Sequence, residues 1–110
     1  MTHPIGYYVS AVSGTVDAAV LTKLEQQIGS FSENLSRAER LAFLAVLAIY
    51  LLHADIGVEC YKIRDAVFDA LLDLDAGICN TILQIEGISE SNALGLISFF
   101  AAQLSARCFR

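Results

Sequence analysis

From Leu41 to Leu52 the chain reads LAFLAVLAIYLL, twelve residues without a charge and with the Tyr50 hydroxyl as the one polar group. Leu and Ala fill eight of the twelve positions; both are strong helix formers, and the run is longer than a typical strand. Ser36 stands three residues before Glu39, the spacing of a reciprocal cap between a Ser hydroxyl and a Glu carboxylate, which predicts a helix starting at Arg37. Gly57 supplies a position tolerant of positive φ and predicts an end between His53 and Asp55. Between those ends the apolar residues go all the way round the cylinder, the pattern of a helix with neighbours on every side. A membrane span needs about 20 apolar residues, and charges at Arg37, Glu39, Arg40, Asp55 and Glu59 close this run at both ends. The pattern predicts the central helix of a globular domain, over about 37–55.

The flanking segments read as further helices. Val20, Leu21, Leu24 and Ile28 form one stripe of a helix with Thr15 or Ser13 as cap, Asp17 in its first turn and Gly29 at its end. In the polar loop 30–36, Phe31 and Leu35 are the two residues expected to dock back. A third helix is expected from Val58 to Asp75, with Ile63, Val67, Leu71 and Leu74 inward and Asp65, Asp69 and Asp73 stacked outward at four-residue spacing. Arg37 and Arg40 are expected to meet Asp69, Asp73 or Asp75 across the turn. Between Gly77 and Gly87 a short helix is expected to point Ile78, Ile82 and Ile85 to one side. A last helix, capped by Ser89, should run to about Cys108 with Leu94, Ile97, Ala101 and Leu104 inward. Residues 1–14 hold the one proline and a short alternating patch at Tyr7, Val9 and Ala11, read as an extended arm or edge strand. The expected fold is all-α: a compact bundle of four to five helices around the central one, a single helical domain over 15–110, with the extended N-terminal arm laid over it.

Composition adds a hint about partners. Apolar residues and glycine together number 64 of 110, above the roughly 45–50% of an average soluble domain. A small globule has little interior to fill, so the excess points to apolar faces covered by a second copy or another protein. Formal charge is −5, which repels phosphate backbones and anionic lipid surfaces, so neither nucleic acid nor a membrane is an expected partner. No basic region followed by an apolar run opens the sequence, and the expected location is cytoplasmic. Cys60, Cys79 and Cys108 make no CxxC pair and read as small hydrophobes rather than as zinc ligands or a redox motif.

Little of the sequence carries chemistry. His53, Asp55 and Glu59, around the turn after the central helix, are the one mixed set of potential metal ligands or acid–base groups. Helix geometry puts His53 and Glu59 on opposite sides of that turn, so no metal, cofactor or catalytic residue is assigned. An apolar helix followed by this acidic turn is similar to that of TerB-like tellurite-resistance domains, although Ile56 here separates the Asp55 and Gly57 that such a turn keeps adjacent. The acidic row fails as an EF-hand, because the sixth and twelfth positions counted from Asp73 hold Ile78 and Gln84 in place of Gly and Glu. Charged residues are 17% of the chain and histidines number two, which weighs against an enzyme.

Two function classes remain. The first is a non-catalytic interaction protein, a homo-oligomeric adaptor or regulator, with a homodimer seam along the small residues Gly95, Ser98, Ala102 and Ala106 of the last helix and Phe99 beside it as anchor. The alternative is a binder of a hydrophobic small molecule, with Phe43, Phe68, Phe99 and Phe100 lining a pocket between helices.

Overall fold

A computed structural model describes residues 3–10, 14–70 and 76–105. Those residues form six helices and no strand: α1 (Ile5–Tyr8), α2 (Val16–Ile28), α3 (Arg37–Asp55), α4 (Ile63–Asp69), α5 (Ala76–Leu83) and α6 (Glu90–Ser105). The central helix α3 packs against α6 on one side and α4 on another, α1 lies on α6, and α4 touches α5.

Local chemistry accounts for both ends of α3. Ser36 Oγ accepts from Glu39 N at 3.1 Å while Glu39 Oε1 accepts from Ser36 N at 2.8 Å, closing the reciprocal cap that the sequence announces. At the far end Gly57 takes φ 81°. Its N–H bonds Ala54 O at 3.2 Å, and Val58 N–H reaches back to His53 O at 3.0 Å. This pair of backward bonds is a Schellman stop, which satisfies carbonyls that the helix leaves open.

The same stop explains why the next helix begins later than expected. Residues 58–62 leave α3 in a non-helical path, with Cys60 at φ 57°, and α4 starts only at Ile63, where Asp65 Oδ2 accepts from Lys62 N at 2.9 Å. Ile63 and Ala66 are buried there; Leu71, Asp73, Leu74 and Asp75 of the expected third helix lie outside the described residues.

The core is one cluster. Leu21, Leu24 and Ile28 of α2, Phe43, Val46 and Leu47 of α3, Ile78 and Ile82 of α5, Ile85, Ile88, and Leu96, Phe99 and Phe100 of α6 all fall in it. Phe43 stacks on Phe100 at 4.9 Å between ring centroids, and Phe99 tilts against Phe100 at 5.1 Å. Ile78 and Ile82 are thus helical and inward, as their spacing suggests, while Ile85 turns inward from the turn after α5, which ends at Leu83. Leu35 docks as expected, whereas Phe31 is 40% exposed.

Two expectations are corrected here. Over the described residues 3–10 the N-terminal segment is not an extended arm, and Ala11 of its alternating patch lies outside them: Ile5–Tyr8 coils into one turn behind Pro4, whose φ of −68° already suits a helix start. No strand among the described residues is at hand to pair with it. Ile5 enters the core at 2% exposure, its N–H bonds Ser30 O at 2.7 Å, and Tyr8 tilts against Phe99 at 5.7 Å. The inward face of α6 is also not the expected one. Ala93, Leu96, Phe99, Phe100 and Gln103 are buried while Leu94 and Ala101 are exposed. Burying two adjacent phenylalanines centres the inward face between them, roughly a third of a turn from the stripe that the smaller apolar residues suggest.

Candidate functional site: the outer face of the central helix

Contrary to the expectation of neighbours on every side, α3 leaves one arc of its cylinder uncovered. Ala42, Phe43, Val46 and Leu47 are buried, with Arg40 beside them. On the opposite side Leu41 is 44% exposed, Leu52 58% and the capping residue Ile56 64%. Arg37, Ala48 and Asp55 are exposed on that side and Ala45 is half-buried. At about 100° per residue these positions fall on one arc of the cylinder. Their spacing of three and four residues is that of a seam between helices. Val58, 42% exposed, extends the apolar surface past the end of the helix. Isolated exposed leucines are ordinary; a contiguous row of apolar positions along a helix of 19 residues is the kind of surface that another protein covers.

The sequence missed this row for a physical reason. Both faces of α3 are apolar, so periodicity within the run cannot tell the face that meets α6 from the face that meets solvent.

The weak ligand set after α3 does not converge. His53 directs Nδ1 at Ile49 O, 2.9 Å away, and lies flat on Tyr61 at 4.1 Å with 5° between ring planes. Asp55 and Glu59 are exposed, and no group of three His, Cys, Asp or Glu side chains among the described residues is placed to hold a metal ion. Tyr61 donates to Asp69 Oδ2 at 2.6 Å. Burial, this bond and the charges of Asp69 and Asp65 all push its phenol above the ordinary tyrosine range, so it is a neutral donor, not a base. Tyr50 is held up in the same direction by burial and by Glu90 and Glu86.

The Arg40 guanidinium donates to Ser32 Oγ at 2.8 Å and to Ser32 O at 2.7 Å. Ser32, wholly buried, sits at φ 52°, so the arginine clamps the loop before α3 in a left-handed turn. Of its expected partners, Asp69 is engaged by Tyr61, and Asp73 and Asp75 lie outside the described residues.

The small-residue row of α6 is occupied from within the chain at Gly95, as is the Phe99 beside it. A side-chain carbon on Gly95 would meet Tyr8 O at 2.2 Å, because α1 crosses there, and Phe99 is fully buried against Tyr8 and Phe100. Neither is open to a second copy. Ser98 is exposed and Ala102 half-buried; Ala106 lies outside the described residues. Phe43, Phe68, Phe99 and Phe100 do not make a pocket either. Phe43, Phe99 and Phe100 fill with their own rings the space a ligand would need, and Phe68 stands on the surface at 78% exposure.

One polar cluster was not foreseen. Asp17 Oδ2 accepts from Ser89 Oγ at 2.5 Å and from Asn92 Nδ2 at 2.6 Å, and its Oδ1 accepts from Ser89 N at 3.1 Å. Asn92 also holds Ser10, donating to its carbonyl at 2.6 Å and accepting from its N–H at 2.7 Å. The cluster ties the starts of α2 and α6 to the end of the N-terminal segment, beside a shallow cleft of about 460 Å³. Ser89 is 72 residues from Asp17 in sequence, so no local spacing could have revealed the pair. Neither histidine reaches it: His3 stacks on Tyr7 at 3.9 Å and His53 on Tyr61. Its role is a tether.

Burial pushes the Asp17 carboxyl up, but three hydrogen bonds from Ser89 and Asn92 outweigh this and hold it below its ordinary value of 3.8. A depressed folded value contributes stability that is present above the unfolded value and is lost as pH falls through the folded one. Stability should therefore drop below about pH 4, and Asp17→Asn should flatten that acid limb. Urea melts at pH 5 and pH 3 read this directly; an equal drop in wild type and variant would remove Asp17 as a source.

Comparison with known protein families, characterised proteins and solved structures gave no match to this chain.

Proposed function

We propose that this protein is a non-catalytic, homo-oligomeric adaptor or regulator that works by binding protein through the outer face of α3. The observation that carries this reading is the exposed row Leu41, Ala48, Leu52 and Ile56, on a helix whose opposite face already supplies the core. Leaving such a row in water forgoes apolar burial of about 25 cal/mol per Å², which association would recover. The composition, rich in apolar residues beyond what the interior needs, supports the same conclusion. The scarcity of converging acid, base and nucleophile groups among the described residues favours binding over catalysis.

The first test is mass in solution. Light scattering on the wild-type chain should give a multiple of 11.9 kDa, and Leu52→Glu should give a folded monomer. Leu52 is mostly exposed, so a charge there costs the fold little while placing a carboxylate in the seam. A wild-type assembly that survives Leu52→Glu would mean that another surface holds it.

A further inference from the structure

Resting on the reading of α3 as an interaction face, the pattern along that face points to its occupant: we infer that it is the α3 of a second copy, laid antiparallel about a twofold axis between Ala45 and Ala48. The outer row is Arg37, Leu41, Ala45, Ala48, Leu52 and Ile56, with intervals of 4, 4, 3, 4 and 4 residues. The intervals are the same read from either end. A twofold axis at the centre therefore sets Ala45 opposite the second copy's Ala48, Leu41 opposite its Leu52, and Arg37 beside its Ile56 and Asp55.

Three features of that register agree. The small residues fall at the crossing point, where two helix axes must come closest, about 8 Å for small contact side chains. The leucines fall on either side, where each can insert between residues of the facing helix. Charge is complementary at both rims: Arg37 and Asp55 are exposed at opposite ends of one helix, and antiparallel pairing brings each to the other's counterpart. A parallel pair would instead set arginine against arginine and aspartate against aspartate, with the two helix dipoles aligned. The self-complementarity of the row selects an isologous contact, the form a twofold dimer requires.

The charges permit a test that separates the dimer from the fold. Arg37→Glu puts an acid in the first turn of α3 and Asp55→Arg a base in its last turn; both substitutions favour the helix itself through its dipole. Each alone nonetheless sets like charges against each other at both rims, and should weaken self-association by about tenfold in Kd, measured by analytical ultracentrifugation at low salt. The double variant restores opposite charges in swapped positions and should recover wild-type affinity. Helix content by circular dichroism should not fall in any of the three. In 1 M salt, where charges are screened beyond about 3 Å, the four proteins should associate alike. If the singles weaken and the double is no better, or if the singles change nothing while Leu52→Glu still gives a monomer, α3 is the interaction face but this antiparallel register is wrong. A wild-type chain that is monomeric at every concentration overturns both the register and the self-association behind it.

Discussion

Phe43→Ala should cost about 3–5 kcal/mol, the range for removing a fully buried phenylalanine, which for a domain of this size is a large share of total stability. Phe43 is wholly inaccessible and stacks on Phe100 at 4.9 Å, joining the middle of α3 to the middle of α6. Phe100→Ala should cost a similar amount. The double variant should cost less than the two together by about 1 kcal/mol, because both rings line the same cavity and lose the same stacking contact. Phe68→Ala is the control: its ring is 78% exposed, and its removal should change stability by no more than about 0.5 kcal/mol. Urea unfolding at one fixed protein concentration measures all four, since self-association would otherwise shift the midpoints. Equal costs for Phe43→Ala and Phe68→Ala would contradict the core described here.

That contrast also marks what a sequence of this kind can disclose. Phe43, Phe68, Phe99 and Phe100 all sit in apolar surroundings along the chain, and only tertiary packing separates the three that fill the core from the one that faces solvent. The central helix was legible because its limits are set by local chemistry. Ser36 and Glu39 close a cap three residues apart, and Gly57 turns the chain back onto Ala54 and His53. The inward face of α2 was legible for a related reason: Leu21, Leu24 and Ile28 are buried while Lys23, Gln26 and Gln27 are exposed, so contrast within the helix points to the core. Helix α6 has no such contrast, because nearly every side of it carries something apolar or small. The space available to Phe99 and Phe100 decided its rotation. The same ambiguity hid the outer row of α3, and the tether from Asp17 to Ser89 and Asn92 depends on a meeting of distant segments that no local spacing encodes.

Gly95 shows the difference between a local and a tertiary reading most directly, since the two predict opposite signs for one substitution. Judged by helix propensity alone, Gly95→Ala should stabilise α6 by about 1 kcal/mol. The added carbon would stand 2.2 Å from Tyr8 O, with Tyr8 C at 3.1 Å and Val9 Cγ1 at 3.2 Å. A backbone carbonyl cannot turn aside as a side-chain tip can, so the N-terminal segment must lift. Lifting it uncovers Ile5, worth about 1.5–3 kcal/mol when fully buried, and strains the Ile5 N–H bond to Ser30 O, worth about 1 kcal/mol. Set against the gain in propensity, Gly95→Ala should destabilise the protein by about 2 kcal/mol. Asn92 holds the same segment through both of its bonds to Ser10, so in an Asn92→Ala background the segment is already loosened and there is less left to lose. Gly95→Ala should then cost less by about 1 kcal/mol, a coupling of the size expected for residues that act on one element. Chemical denaturation of the four proteins gives this coupling, and hydrogen exchange at the Ile5 amide should rise in both single variants. If Gly95→Ala stabilises the wild-type chain instead, propensity has won and α1 is not packed against α6 at that point.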